Sequence, residues 1–164
     1  MRVLTFFVLA FASVAAWAGD GSAVLSVDGK PALVLQAPSA AKIISSNGYV
    51  NIRTTNMSLH VWVVADAKVV GDALPRAADL IRSEFVKFKP SATNDLDIAG
   101  AAAKLVKGPG NEADDGDPGN AELVFFEAGD SVFVGCVHGE FDDAARERAP
   151  MLAVLKTARA PNSK

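Results

Sequence analysis

Short apolar runs separated by turn-forming pairs dominate the chain between residues 23 and 55. Asp-Gly and Asn-Gly pairs accept positive φ at little steric cost, so each favours a tight hairpin between its flanking runs. The two hairpins predicted in this way are 23–27 with 32–36 around Asp28-Gly29, and 42–45 with 49–55 around Asn47-Gly48. The pattern therefore predicts an antiparallel start to the fold.

The next stretch, SLHVWVVADA, alternates with a period of two, as expected of a strand. Its two faces carry Leu59, Val61 and Val63 on one side, and His60, Trp62 and Val64 on the other. Because both faces are apolar near the middle of the strand, we predict a sheet that is covered on both sides.

The period changes to that of a helix over residues 72–89. One stripe of this segment carries Leu74, Ala78, Ile81, Phe85 and Phe88. Asp72 is a suitable cap, Pro75 falls in the first turn where its missing N–H is harmless, and Pro90 ends the segment. We predict one continuous helix.

The second half predicts strands at 95–99 and 102–107, a hairpin over 122–139 about Gly129-Asp130, and a closing helix over 140–159. Between them, the Gly-, Pro- and Asp-rich residues 108–122 are predicted to form a mobile surface loop. The predicted fold class is α+β, an antiparallel sheet flanked by helices on both faces.

The C-terminal third also carries a resemblance. ELVFFEAGDSVFVGCVHG leads into GEFDDAARERAPMLAVLKTA, where Phe141 lies early, Pro150 lies in the middle and Leu155 follows. This arrangement resembles the PsbP-like superfamily of α/β/α sandwiches, which includes a photosystem II extrinsic protein, a Ran-binding import factor and small bacterial envelope proteins. The resemblance implies a non-enzymatic binding or assembly factor.

Pro150 has two interpretations, because a proline inside a helix removes one backbone hydrogen bond and clashes with the preceding turn. The helix could bend there around a twisted sheet, or it could begin near Pro150.

The N-terminus predicts export. Arg2 precedes an apolar run, and Ala16 and Ala18 flank Trp17 in the pattern of a cleavable secretory signal peptide over residues 1–18. Residues 19–164 then form a single domain of ordinary size, without a membrane anchor after cleavage. The predicted location is secreted or periplasmic.

Charge and cysteine content exclude several classes. The chain has 16 basic and 19 acidic residues, a net charge of −3 and no basic stripe, which argues against a nucleic-acid partner. Its one cysteine cannot form an intrachain disulfide.

That cysteine, Cys136, lies two residues from His138, and side chains at this spacing share one face of a strand. With His60 they could bind one metal ion, although the sequence does not show whether the two segments pair. Alternatively, Cys136 is a small buried residue or a reactive thiol, and His138 bonds the following turn or faces solvent.

A second candidate site is the acidic segment with Glu112, Asp114, Asp115 and Asp117, whose oxygens could bind calcium. It lacks the ligand spacing of an EF-hand, and a solvated loop is the alternative. Trp62 and Phe125-Phe126 could line a ligand groove or belong to the core.

The sequence contains no Gly-x-Ser-x-Gly motif and no Cys-x-x-Cys motif, so it predicts neither catalytic residues nor a bound cofactor. We therefore expect an exported accessory protein that binds an unknown envelope protein or small ligand. The alternative is an exported metal-binding protein.

Overall fold

The structure is a computed structural model that describes residues 21–140 and 142–161. The predicted signal peptide and Phe141 lie outside these residues. Within them, no helix has the length and apolar character needed to cross a bilayer.

All three predicted hairpins are confirmed. They join β1 (Ser22–Val27) to β2 (Lys30–Gln36), β3 (Lys42–Ser46) to β4 (Tyr49–Thr54), and β9 (Pro118–Ala128) to β10 (Ser131–Gly139). Asp28 and Gly29 have φ of 50° and 75°, as the turn between β1 and β2 requires.

One large antiparallel sheet forms the centre of the molecule. Its remaining strands are β5 (Met57–Val63), β6 (Phe85–Val86), β7 (Ala92–Ile98) and β8 (Ala101–Glu112). The order is β3-β4-β5-β10-β9-β8-β6, with β7 also paired to β8. Strand β10 therefore lies beside β5, which precedes it by almost seventy positions in the chain.

The predicted loop at residues 108–122 is wrong, because β8 and β9 run through most of it and leave only residues 113–117 as a turn. Two glycines of this segment allow neighbouring backbone to approach closely within the sheet. A Cβ at Gly108 would lie 2.0 Å from the Lys89 carbonyl oxygen, and one at Gly119 would lie 2.2 Å from that of Gly139. These glycines leave space for neighbouring backbone.

The predicted continuous helix at residues 72–89 is also wrong. The segment has the short helices α1 (Val70–Ala73) and α2 (Ala77–Leu80), a 3-10 turn at Leu74–Arg76 between them, and then β6. Phe85 is fully buried, but as a strand residue paired with Glu112 of β8. Sheet pairing has overridden the helical period.

Two apolar layers cover the sheet. On one side, here called the hairpin face, β1, β2 and α3 (Asp143–Leu155) bury residues such as Leu25, Leu33 and Leu155. On the other, here called the histidine face, residues 70–88 cover Phe125, Val134 and Cys136. A full helical layer on both faces, as predicted, is not confirmed, since this second cover consists of two four-residue helices, a 3-10 turn and a two-residue strand.

Helix α3 begins at Asp143 and contains Pro150, so the alternative that the helix begins near Pro150 is wrong. Ala144, Met151 and Leu155 of this helix are buried against the hairpin face. Arg148 of α3 also forms an ion pair with Glu122 of β9, and Glu122 is only 4% exposed.

Candidate functional site

Pairing of β5 with β10 brings two of the predicted site residues together. Cys136 lies directly opposite His60 in the register, and His138 follows two residues later on the same face. The ring centroids of His60 and His138 are 5.1 Å apart. The sequence predicted both imidazoles as candidates but could not establish this contact.

A third group, Glu84, was missed by the sequence reasoning. It lies just before β6, and its Oε2 atom is 3.9 Å from Nδ1 of His60. Ligand atoms of His60, Glu84 and His138 all lie within 4.8 Å of one another. Because residues 72–89 were predicted as a helix, no sequence signal placed this carboxylate beside the strand histidines.

His60 is 5% exposed and its two ring nitrogens have different neighbours. Nε2 lies 3.2 Å from the Ser58 hydroxyl, and Nδ1 lies 2.9 Å from the Tyr49 hydroxyl. Burial, followed by the nearby His138 and Arg53, lowers the pKa of His60 from 6.5 to about 4. The ring is therefore neutral at neutral pH, and one of its two nitrogens carries a lone pair that contacts a hydroxyl group.

His138 is oriented by a carboxylate. Its Nδ1 atom lies 2.7 Å from Oε2 of Glu112, the last residue of β8. The predicted alternatives, a bond to the following turn or a solvent-facing ring, do not describe this contact. Burial raises the pKa of Glu112, while His138 beside it acts in the opposite direction.

Two buried polar atoms at this place have no hydrogen-bond partner among the described residues, namely Nε2 of His138 and Oε1 of Glu112. Buried polar atoms in native proteins are nearly always satisfied, by protein, water or an ion. We call His60, Glu84, Glu112 and His138 the histidine cluster.

Cys136 is not part of the histidine cluster, although it lies opposite His60 in the sheet. It is fully buried among apolar residues of the histidine face, and its Sγ contacts the Val137 carbonyl oxygen at 3.7 Å. Burial raises the pKa of its thiol. Among the described residues, the group able to converge on one ion contains Glu84 in place of this thiol.

The structure does not bring Asp114, Asp115 and Asp117 into a converging group within the described residues. Instead, Asp114 Oδ1 accepts the N–H of Asp115, and Asp115 Oδ1 accepts the N–H of Asp117, each at 2.9 Å. These carboxylates stabilise the turn between β8 and β9, and calcium binding there stays a prediction.

Aromatic side chains border one side of the histidine cluster. Trp62 stacks on His60 with ring centroids 5.6 Å apart, and Tyr49 lies 5.4 Å from Trp62. Both are only partly buried, whereas Phe125 and Phe126 are fully buried in the two layers. The two phenylalanines therefore cannot line the predicted ligand groove, and Trp62 is the remaining residue of that prediction that could do so.

Comparisons with known proteins identify the fold. No protein-family model matches the sequence, and no curated protein is significantly similar to it. The solution structure of cyanobacterial PsbP from Synechocystis superposes on this chain with a TM-score of 0.52 at 11% sequence identity. The superposition covers 92% of this chain and 98% of the cyanobacterial protein. This chain has a PsbP-like fold.

A Bacteroides thetaiotaomicron protein has a TM-score of 0.53 at 14% identity, over 88% of this chain. This chain spans only 50% of the length of that protein. LpqN of Mycobacterium tuberculosis is described as involved in cell envelope biogenesis. It has a TM-score of 0.45 at 14% identity, and the superposition covers 85% of this chain and 91% of LpqN. At 11% identity, the likeness to cyanobacterial PsbP establishes the fold alone.

Proposed function

We propose that this protein is an exported, non-enzymatic accessory protein of the cell envelope that binds a ligand at the histidine cluster. The observation that carries the proposal is the pair of unpartnered buried atoms, His138 Nε2 and Glu112 Oε1. A buried polar atom without a partner costs about 1–3 kcal/mol. A ligand that satisfied either atom would recover part of that free energy as affinity.

Chemistry at the cluster favours binding over catalysis. The Ser58 hydroxyl lies 3.2 Å from Nε2 of His60, as in a hydrolase, but the hydrogen bond at Nδ1 is to the Tyr49 hydroxyl at 2.9 Å, and the carboxylate of Glu84 is 3.9 Å away. A pKa of about 4 also makes His60 a weak general base at neutral pH. The thiol of Cys136 is buried with a raised pKa, which disfavours the nucleophilic thiolate.

The export part of the proposal rests on the signal peptide predicted at residues 1–18. Mass spectrometry of the protein purified from its native host tests it, with Gly19 expected as the first residue of the mature chain. Recovery of an intact N-terminus from the cytoplasm would contradict export.

Ligand binding is tested with the mature chain as bait in an envelope extract, and in a thermal-shift screen of metal ions, anions and small metabolites. We expect at least one partner or ligand whose effect is lost in a His60→Ala, His138→Ala double variant. The matched control is an Asp114→Asn, Asp115→Asn double variant, which should behave as wild type. If every capture and every thermal shift is the same in both double variants, the proposal is wrong.

A further inference from the structure

The geometry points to the identity of the ligand. We infer that it is a zinc ion held by His60 Nδ1, a carboxylate oxygen of Glu84 and His138 Nε2, an inference that rests on the proposed function. Two imidazoles and one carboxylate form a donor set that suits zinc.

The separations fit such an ion. The three ligand atoms lie within 4.8 Å of one another. Zinc bonds of about 2.0–2.2 Å in tetrahedral geometry place ligand atoms roughly 3.3–3.6 Å apart. Ligand atoms at the 4.8 Å limit would have to approach one another by about 1.2–1.5 Å to close the ligand shell, and the fourth position remains for water or for a donor atom of a bound partner.

The histidines are already held in the orientation that a metal requires. Glu112 lies 2.7 Å from Nδ1 of His138, so the proton of this ring is held on the far side from Nε2. Ser58 lies 3.2 Å from Nε2 of His60 and can accept its proton, which leaves the lone pair on Nδ1, where a bound ion would replace the Tyr49 hydroxyl that lies 2.9 Å away. An acceptor on the second nitrogen is typical of metal-binding histidines, since it sets the tautomer and makes the ligand more basic.

The charges around the cluster also favour a cation. Glu84 and Glu112 border the two imidazoles, and Glu147 of α3 reaches the same region, where its Oε2 accepts the N–H of Ser58 at 3.0 Å. A divalent cation would offset this excess of negative charge.

Zinc titration calorimetry at neutral pH tests the inference on the mature chain, after chelator treatment and dialysis. We expect one zinc per chain, with the His60→Ala and His138→Ala variants each binding at least about tenfold more weakly. Glu112→Gln should weaken binding by about 10–100-fold while leaving all three ligands in place. Cobalt(II) should give the intense visible absorption of a tetrahedral site in the wild type and lose it in His138→Ala.

Two controls keep the result interpretable. Cys136→Ser should bind zinc as the wild type does, because the thiol lies outside the donor set, and circular dichroism should show that every variant is folded. Wild-type protein that binds no zinc, or zinc affinity that is equal in the His60→Ala, His138→Ala double variant, would overturn the inference. If the double variant still loses a captured partner or metabolite, the proposed function stands and only the identification of zinc fails.

Discussion

At the scale of single residues, His60 shows how surroundings decide chemistry. Its ring lies on a strand beside Trp62, with Ser58, Tyr49 and Glu84 around its two nitrogens. Burial disfavours the charged imidazolium form, and no carboxylate lies close enough to offset that effect fully. The result is a neutral, oriented ring.

This environment predicts a pH dependence of the metal-free protein. The pKa of His60 is about 4 in the folded chain against 6.5 ordinarily. Between pH 6.5 and about pH 4 the unfolded chain binds more protons than the folded chain does. The stability that His60 contributes is therefore present above pH 6.5 and is lost as the pH falls to about 4. The loss is on the order of 3 kcal/mol, at 1.36 kcal/mol per pKa unit.

The raised pKa values of Glu112 and Glu147 act with the opposite sign, because the folded state then binds protons more tightly and loses stability as the pH rises. The wild type is therefore compared with His60→Gln by urea unfolding across this pH range, in the presence of chelator. We expect the variant to lose less stability than the wild type as the pH falls from 6.5 to about 4. Parallel profiles would show that His60 is not the group responsible.

The buried thiol gives a second prediction at this scale. Because Cys136 is fully buried and its pKa is raised, we expect Ellman's reagent to modify the native protein very slowly and to label one thiol promptly in denaturant. Fast labelling of native protein would show that the strand opens locally or that the thiol is accessible.

At the scale of elements, α3 lies on the sheet because one strand position has no side chain. A Cβ at Gly135 of β10 would lie 2.8 Å from Cδ1 of Leu155. Leu155 is fully buried at the end of α3, so little space exists for it to move. The contact joins the helix to the centre of the sheet.

We expect Gly135→Ala to destabilise the protein by about 1–3 kcal/mol, the usual effect of overpacking. The same change should be less damaging in a Leu155→Ala background, because the clash is removed, and the double-mutant cycle measures this difference. Gly71 is the matched control, since a Cβ there meets nothing within 4 Å and Gly71→Ala should be neutral or stabilising. Equal effects of Gly135→Ala in both backgrounds would contradict the contact.

At the scale of the whole molecule, both apolar layers share one sheet. Leu33 of β2 is fully buried on the hairpin face, and Ile81 is fully buried on the histidine face. Because β5, β8, β9 and β10 each contribute side chains to both layers, we expect the mature chain to unfold as one cooperative unit.

The test uses the one tryptophan, Trp62, that remains after removal of residues 1–18, so its fluorescence reports on the histidine face alone. Denaturant curves followed by fluorescence and by circular dichroism should coincide. Leu33→Ala and Ile81→Ala should each lower stability by about 2–5 kcal/mol and keep the curves coincident. If Leu33→Ala shifts the dichroism transition and leaves the Trp62 transition unchanged, the two layers unfold separately.

The sequence by itself determined the hairpins, the strand alternation at β5 and the PsbP-like fold. The reason is that turn chemistry and side-chain period are local: Asp28-Gly29 and Asn47-Gly48 specify turns whatever lies elsewhere. Both histidines were also identified as candidate ligands from their own chemistry and spacing.

Tertiary structure alone decided which groups meet. Gly108 and Gly119 signalled a loop by composition, yet they lie in strands where backbone approaches closely. Phe85 follows a helical period but pairs with Glu112, and this pairing brings Glu84 and Glu112 to the histidines. The pairing of β5 with β10 depends on contacts between segments far apart in the chain, which a local pattern cannot encode, and the candidate site exists only because of it.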